Sequence, residues 1–405
     1  MANIKVVQIN AIFGSLSTGT VMANIQKRSL DNGLDAYVAY SLADRSDADV
    51  LNGFRIGNKF TAKWSALYSR IIGKQAYANC LTTWLFLFWL DKKQPDIVHL
   101  HNLHSNYIHL NRLLRYLAKH DIATVITMHD CWYFTGGCMH YTSTGCDKWK
   151  YGCGKCPKWR QIPSFFFDRT KSVLKDRIKY LSAIPRLTIV GASEWIANEM
   201  KQSPLKHLNI TYIHNGFDLN VFKPTPSDKR KILGLEGKYV ILGPASKWLL
   251  PINKPTLDYF ISNMDSDMVL LLFGCSAINS TLPKNVVQIG YTKSPKEMAE
   301  LYSLADVMVN CSREDTLSSI NLECQACGTP VVTYEATGNK ETVDGICGFA
   351  VKTGSFEALL DKVKFMYNES KEVFSQKCRQ WMESSFEKEI NYKKYIELYK
   401  VINNQ

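Results

Sequence analysis

Apolar, strand-like runs alternate with helical stretches twice over along this chain, and that alternation limits its fold more than any other feature. The first series is 4–10 (IKVVQIN), 36–41 (AYVAYS), 96–102 (DIVHLHN), 124–130 (TVITMHD), 187–193 (LTIVGAS) and 210–216 (ITYIHNG). The second is 239–245 (YVILGPA), 268–274 (MVLLLFG), 285–291 (NVVQIGY), 306–312 (DVMVNCS) and 329–335 (TPVVTYE). Helical spacing separates most of them, as at 107–119, 255–263, 295–305 and 317–326. Apolar strands alternating with helices make parallel sheets covered on both faces, so the expectation is α/β, with two doubly wound domains.

The chain's 405 residues, 46% hydrophobic and 21% charged, suffice for two domains with real cores. The expected organisation is a first domain over 1–217 with a cysteine-rich insertion at 131–160, a polar, proline-containing linker at 218–230, and a second domain over 231–385. A terminal helix within 386–405, near 391–402, is expected to return to the first domain. The opening MANIKVVQIN has no basic and apolar leader pattern, and no apolar run reaches the 18 or so residues of a membrane span, so cytoplasmic residence with reduced thiols is expected.

Charge is unevenly divided. Residues 1–217 hold 27 Lys and Arg against 14 Asp and Glu, an excess of 13, whereas the remainder holds 22 against 23. A basic half attracts nucleic acid, anionic lipid or phosphorylated substrate. No nucleic-acid recognition motif accompanies it, which leaves the last two. The run 82–90 (TTWLFLFWL), followed by Asp91, Lys92 and Lys93, reads either as an amphipathic element at a lipid interface or as a helix buried against a sheet.

The densest chemistry lies in 307–334, VMVNCSREDTLSSINLECQACGTPVVTY: strand, acidic loop, helix, Gly-Thr-Pro turn, strand. Acids at a strand's carboxyl end sit where open α/β sheets bind ligands, and a helix start offers amide groups to an anion. Backbone around Ser318, Ser319 and Ile320 is placed to hold a diphosphate, Glu323 to take ribose hydroxyls, and Asp315, eight residues earlier, to take sugar hydroxyls.

This stretch resembles the acidic-pair signature of the family 4 retaining glycosyltransferases, in which two Glu stand eight apart before Ala-Cys-Gly-Thr-Pro-Val-Val. Glu323 and Cys327 to Val332 match; the first acid is Asp315, and Glu314 is out of register. The Arg-Glu-Asp-Thr-Leu form looks like the colanic-acid-type branch that builds exopolysaccharide, capsule and O-antigen. His214 to Asp218 with Phe222, Lys223 and Pro224 resemble the family's interdomain linker. The resemblance implies the GT-B fold, two Rossmann-like domains with a cleft between them. It also implies transfer of a hexose from a UDP- or GDP-sugar, with retention and without a catalytic metal. The acceptor would be a sugar hydroxyl, on a polyprenyl-diphosphate-linked oligosaccharide at the inner face of the cytoplasmic membrane. A sugar-nucleotide epimerase of the same fold and a non-enzymatic, zinc-stapled module that binds membrane or nucleic acid are the alternatives.

Residue by residue, His129 matches the family histidine near the reacting sugar, with Asp130 beside it to orient the ring. Lys254 fits the family's diphosphate lysine, with Pro255 in place of Gly, and Lys247 is the candidate for its arginine partner. The turn carrying Gly14, Ser17, Thr18 and Gly19 would approach donor diphosphate and acceptor, with His101 and Asn102 lining the same region. His99 and His101, two apart on one face of a strand that ends near His104, admit a metal pair by spacing, but a non-metal role is preferred.

Five of the 12 cysteines fall between Cys131 and Cys156. Cys138, Cys146, Cys153 and Cys156 could hold a structural zinc, the last two as a Cys-x-x-Cys knuckle, with His140 as a substitute ligand. Asp47 with Asp49 and Asp265 with Asp267 lie in polar, turn-like sequence and read as solvated turns rather than metal-binding Asp-x-Asp motifs.

Overall fold

Strands that are buried on both faces need a mostly apolar sequence whose polar members are hydrogen-bonded, and this is what Ile97–Leu100 and Ala123–Met128 provide: every residue of both is buried, and His99 bonds Thr127. The computed structural model describes residues 3–161, 165–279 and 281–404. They form two compact units, one comprising the chain up to Asn215 together with the residues from Asn391 on, the other Gly216–Ile390.

The first unit runs β1 (Lys5–Ile9), β2 (Ile12–Phe13), α1 (Leu16–Asp31), β3 (Asp35–Tyr40), β4 (Leu42–Ala43), β5 (Gly53–Arg55), α2 (Lys59–Ile72), α3 (Cys80–Lys93), β6 (Ile97–Leu100), α4 (Leu110–Lys119), β7 (Ala123–Met128), α5 (Thr170–Leu181), β8 (Leu187–Gly191), α6 (Glu194–Met200) and β9 (Asn209–Tyr212). Its seven-stranded parallel sheet has the order β5-β3-β1-β6-β7-β8-β9. The chain winds outward from β1, then crosses back to start again at β6, so β1 and β6 flank the point where the winding reverses.

The second unit contains α7 (Lys229–Ile232), β10 (Tyr239–Pro244), α8 (Ala245–Trp248), α9 (Lys254–Asn263), β11 (Met268–Phe273), β12 (Val286–Gln288), α10 (Pro295–Leu304), β13 (Val307–Asn310), α11 (Ser319–Ala326), β14 (Val331–Tyr334), β15 (Gly348–Val351), α12 (Phe356–Tyr367) and α13 (Lys371–Ser385), and α14 (Lys388–Asn403) begins within it. The order β12-β11-β10-β13-β14-β15 repeats the same winding, with the reversal between β10 and β13. Ligands of doubly wound sheets bind beyond the carboxyl ends of the two strands at such a reversal. That rule marks the loops after β1 and β6 in one unit and after β10 and β13 in the other.

Two features differ from the sequence expectation. The stretch 218–230 is not a separate linker but part of the second unit: Thr225 N–H donates to Ser303 Oγ at 2.9 Å, and Arg230 pairs with Asp306 at 2.6 Å. The strands β5 and β15 went unseen because each is a short edge segment with little apolar periodicity. The terminal helix starts at Lys388, within the expected 386–405. From Asn391 it packs Tyr392, Tyr395, Ile396, Tyr399 and Ile402 against Val6, Ile97 and Val125, becoming part of the first unit's core.

The two Asp-x-Asp pairs are surface structure. Asp47 bonds Tyr40 and Arg55, while Asp265 meets Lys364 and Asp267 meets Tyr367.

Candidate active site

At the carboxyl end of β13, Asn310 is fully buried, and its amide Nδ2 donates to Ser318 Oγ at 3.1 Å and to Asn321 Oδ1 at 2.8 Å. Asn321 Nδ2 in turn donates to Thr342 Oγ1 at 2.8 Å, and Gln325 Nε2 donates to the Thr342 carbonyl at 2.7 Å. This buried amide chain fixes the start of α11. A serine before a helix normally accepts a hydrogen bond from an amide of the first turn. Ser318 makes no such cap, so the first-turn amides of Ser319 and Ile320 keep their capacity for an anion.

The loop between strand and helix is equally fixed. Asp315 N–H donates to Thr337 Oγ1 at 2.9 Å, and Gly338 N–H donates to the Asp315 carbonyl at 3.0 Å. Asn253, buried, links this loop to the one after β10: its Nδ2 donates to the carbonyls of Lys247 and Cys311, each at 3.0 Å, and its Oδ1 accepts from Arg313 Nε at 3.0 Å. Lys247 and Arg313 both act electrostatically on Cys311, the residue after β13, and neither has a carboxylate partner among the described residues. Two unpaired cations therefore flank the end of β13. Lys254 is placed differently. It is exposed and bonded to Asp258 at 2.5 Å, so an anionic ligand has to compete with that carboxylate.

Glu323 lies a turn into α11, partly reached by solvent yet surrounded by protein on most sides. Burial pushes its carboxyl up to about 7, opposed by a hydrogen bond from Tyr302 Oη at 3.1 Å. The group is poised between carboxyl and carboxylate near neutrality.

In the first unit, the corresponding strand ends carry a chain of side chains from β1 to β7. Gln8 Nε2 donates to the Met22 carbonyl at 3.3 Å, which turns Oε1 toward His101 Nε2 at 3.1 Å. His101 therefore carries its proton on Nε2, and its bare Nδ1 accepts from His129 Nε2–H at 3.1 Å. His129 is left with an unprotonated Nδ1. Burial holds its ring down at about 4 and His101 well below the usual histidine range, so both are neutral at pH 7. His129 can accept a hydroxyl proton or hydrogen bond but carries no charge.

Asp130 does not orient His129. Its carboxylate is bonded to His104 Nε2 at 3.0 Å and to Trp132 N–H at 2.9 Å. His99 is structural: it sits between Tyr399 Oη at 2.6 Å and Thr127 Oγ1 at 2.8 Å, with its ring held down at about 3 by burial.

The turn after β1 is organised by Asn10, which bonds the Ile12 carbonyl at 2.8 Å, Thr18 Oγ1 at 3.3 Å and Asn102 N–H at 3.1 Å. Thr18 and Asn102 thus meet through a residue that sequence reasoning had not selected. Gly14 has φ +79°, and a Cβ there would stand 2.4 Å from the Asp44 carboxylate. Gly19 lies close to the Ile12 carbonyl, where a Cβ would come to 3.1 Å. Ser17 is exposed, and no side chain caps α1.

The chain matches two family descriptions, "Glycosyltransferase Family 4" over residues 33–221 and "Glycosyl transferases group 1" over residues 261–388. This chain is a family 4 glycosyltransferase. It is 23% identical over 375 residues to WcaC, a glycosyl transferase named for colanic acid biosynthesis in Escherichia coli (strain K12), covering 89% of each chain. Sucrose-phosphate synthase from Thermosynechococcus elongatus has a similar fold, with TM-score 0.69, 15% identity and 99% of each chain covered. So does Anabaena Alr3699/HepE, solved with UDP and glucose, at TM-score 0.64 and 15% identity over 98% of this chain and 100% of that one. The glycosyltransferase therefore has the GT-B fold.

Two outcomes follow. A carboxyl raised from 4.5 to about 7 in the folded state favours the protonated form, so Glu323 costs no stability below pH 4.5 and progressively more as pH rises through 7. The ceiling is about 3 kcal/mol, reduced by solvent screening to roughly 1–2. Glu323→Gln should raise unfolding free energy by that amount at pH 8 and by almost nothing at pH 4, measured by urea titration without ligand. Gln8→Met removes the acceptor that sets the His101 and His129 tautomers; glycosyl transfer should slow roughly tenfold or more with donor KM nearly unchanged, read from steady-state kinetics.

Proposed function

We propose that this glycosyltransferase moves a hexose from a UDP- or GDP-sugar to a hydroxyl of a lipid-linked oligosaccharide, with retention of configuration, during assembly of a bacterial surface polysaccharide such as capsule or O-antigen. The observation that carries the reading is the uncapped start of α11, flanked by Asp315, Glu323 and the unpaired cations Lys247 and Arg313. The first-turn amides and the two cations would take the diphosphate, offsetting the charge that develops as the sugar leaves. Glu323 as carboxylate would accept two ribose hydroxyls, Asp315 would hold the sugar, and the bare Nδ1 of His129 would orient a hydroxyl. No side chain is assigned as a covalent nucleophile; the donor phosphate would assist attack from the face it leaves. The family resemblance, WcaC's name and the UDP seen in the Anabaena protein support the same reading.

A peripheral position on the inner membrane face is part of the proposal. Helix α2 is inverted: Ser65 and Ser69 are buried, while Phe60, Trp64, Leu67, Tyr68 and Ile71 are exposed, a stripe of helical spacing turned to solvent. In α3, Phe86 and Leu90 are buried, but Leu81, Trp84, Leu85 and Phe88 are exposed. The run 82–90 is thus neither wholly buried nor free; one face packs and one does not. Lys92 Nζ lies 4.4 Å from the Phe88 ring, and Lys59, Lys63 and Arg70 sit on α2. Aromatic stripes bordered by lysine and arginine suit the headgroup layer of an anionic membrane. Among the described residues no helix is long and apolar enough to cross one.

The donor reading is checked by melting the protein with UDP-, GDP-, ADP- and CMP-sugars. One base at a hundredfold excess over Kd should add about 2.7 kcal/mol of stability, and the shift should vanish in Glu323→Ala. No shift with any base contradicts it, and epimerised donor appearing without acceptor would make the protein an epimerase instead. For the membrane, each of Trp64→Ser and Trp84→Ser should weaken binding to phosphatidylglycerol vesicles by about tenfold or more while leaving the melting temperature unchanged. Unaltered vesicle binding would contradict that role.

A further inference from the structure

The cysteine-rich insertion contains a second organised centre, separate from the transfer chemistry. Cys138, Cys146, Cys153 and Cys156 line one small cavity with Tyr141 and Trp149. Its volume of about 20 Å³ suits an atom-sized occupant and is far too small for a sugar. No carboxylate lines it, and none of the four cysteines is in a disulfide. The backbone is shaped to the sulfurs. Both residues between Cys153 and Cys156 have positive φ, +137° at Gly154 and +46° at Lys155. Gly136 N–H donates to Cys153 Sγ at 3.2 Å, and a Cβ at Gly136 would meet Cys153 Cβ at 2.9 Å. Cys138 and Cys156 are within hydrogen-bonding reach of each other.

An independent observation lies beside this cluster. Arg177 is fully buried, with its guanidinium 3.6 Å from the Trp132 ring centre and Nη1 donating to the carbonyls of Trp132 and Thr135. Its Nε and Nη2 have no partner, and no carboxylate forms an ion pair with it among the described residues. After Tyr77, Cys153 acts on it most strongly, ahead of Tyr133 and Asp130. A buried guanidinium with no carboxylate in ion-pair contact, and Asp130 acting on it only as a weaker electrostatic neighbour, is stabilised by further negative charge nearby, which thiols in their neutral form do not supply.

We propose that Cys138, Cys146, Cys153 and Cys156 bind one zinc ion as a structural centre that closes the 131–160 insertion. Four thiols release four protons, and four thiolates on Zn²⁺ leave a net charge of −2 beside Arg177, with no change of oxidation state. A soft, all-sulfur, four-ligand set suits zinc, and with every position filled by protein the ion has no open site for catalysis. His140 does not line the cavity and is not a ligand in this assignment. As placed, the sulfurs form the cavity wall, and no three ligating side chains among the described residues are close enough together to hold an ion. Zinc at about 2.3 Å from each sulfur requires them to turn inward.

Elemental analysis of the full chain, purified without chelator from zinc-supplemented culture, should find about one zinc per chain, and the Cys153→Ser, Cys156→Ser double variant less than about a tenth of that. So that loss of fold in the double variant does not decide the outcome, the wild-type protein supplies a second measurement. Zinc should shield four thiols from Ellman's reagent, and cobalt in its place should give the sulfur-to-metal charge-transfer band of a tetrahedral thiolate site. Wild-type protein that takes up no zinc, four thiols that react equally fast with and without it, or an intact mass showing these cysteines paired as disulfides would each overturn the proposal.

Discussion

The buried amide of Asn310 is the interaction on which the rest of the candidate site around α11 depends. It holds Ser318 and Asn321 together at the end of β13, so the helix begins at a fixed place with its first turn uncapped. Satisfying a buried side-chain amide leaves little freedom, because an unpaired donor or acceptor there costs about 1–3 kcal/mol. The same chain continues through Asn321 to Thr342, and so ties α11 to the loop after β14. Asp315 and Glu323 flank α11's N-terminus because this scaffold is rigid, and Asn253 brings Lys247 and Arg313 to the same strand end from two different loops.

The first unit uses a parallel device with different chemistry. Gln8 sets the proton of His101, and His101 sets that of His129, so an orientation decided on β1 is read out as a bare nitrogen at the end of β7. Neutral imidazoles suit this purpose, since burial disfavours their charge and the hydrogen bonds need one donor and one acceptor on each ring. Both units therefore place their chemistry beyond the carboxyl ends of the strands at which the winding reverses, as expected for doubly wound sheets.

Much of this was legible in the sequence, for identifiable reasons. Every apolar run proposed as a strand forms one, including the edge strands β9 and β12, whereas β5 and β15 are edge segments too short and too weakly apolar to stand out. Asp315, Glu323 and His129 stood out as ionisable groups at strand ends or beside the Gly-Thr-Pro turn. Gln8, Asn10, Asn253 and Asn310 did not, because an amide side chain gains its meaning from tertiary neighbours that spacing does not reveal. Arg313 was passed over for Lys254, since a lysine after β10 fitted the family pattern while the link through Asn253 is a contact across 60 residues. The inversion of α2 was hidden for the same kind of reason: serines on the packed face and aromatics on the open one reverse the usual rule.

Hydrogen exchange at the backbone amides of residues 315–323, with and without UDP, tests the central claim most directly. If the uncapped start of α11 holds the diphosphate, the amides of Ser319 and Ile320 should exchange markedly more slowly with UDP bound, and Asn310→Ala should abolish that protection. UDP that binds without slowing exchange there, or that protects only segments away from α11 and the loop after β10, would contradict the account.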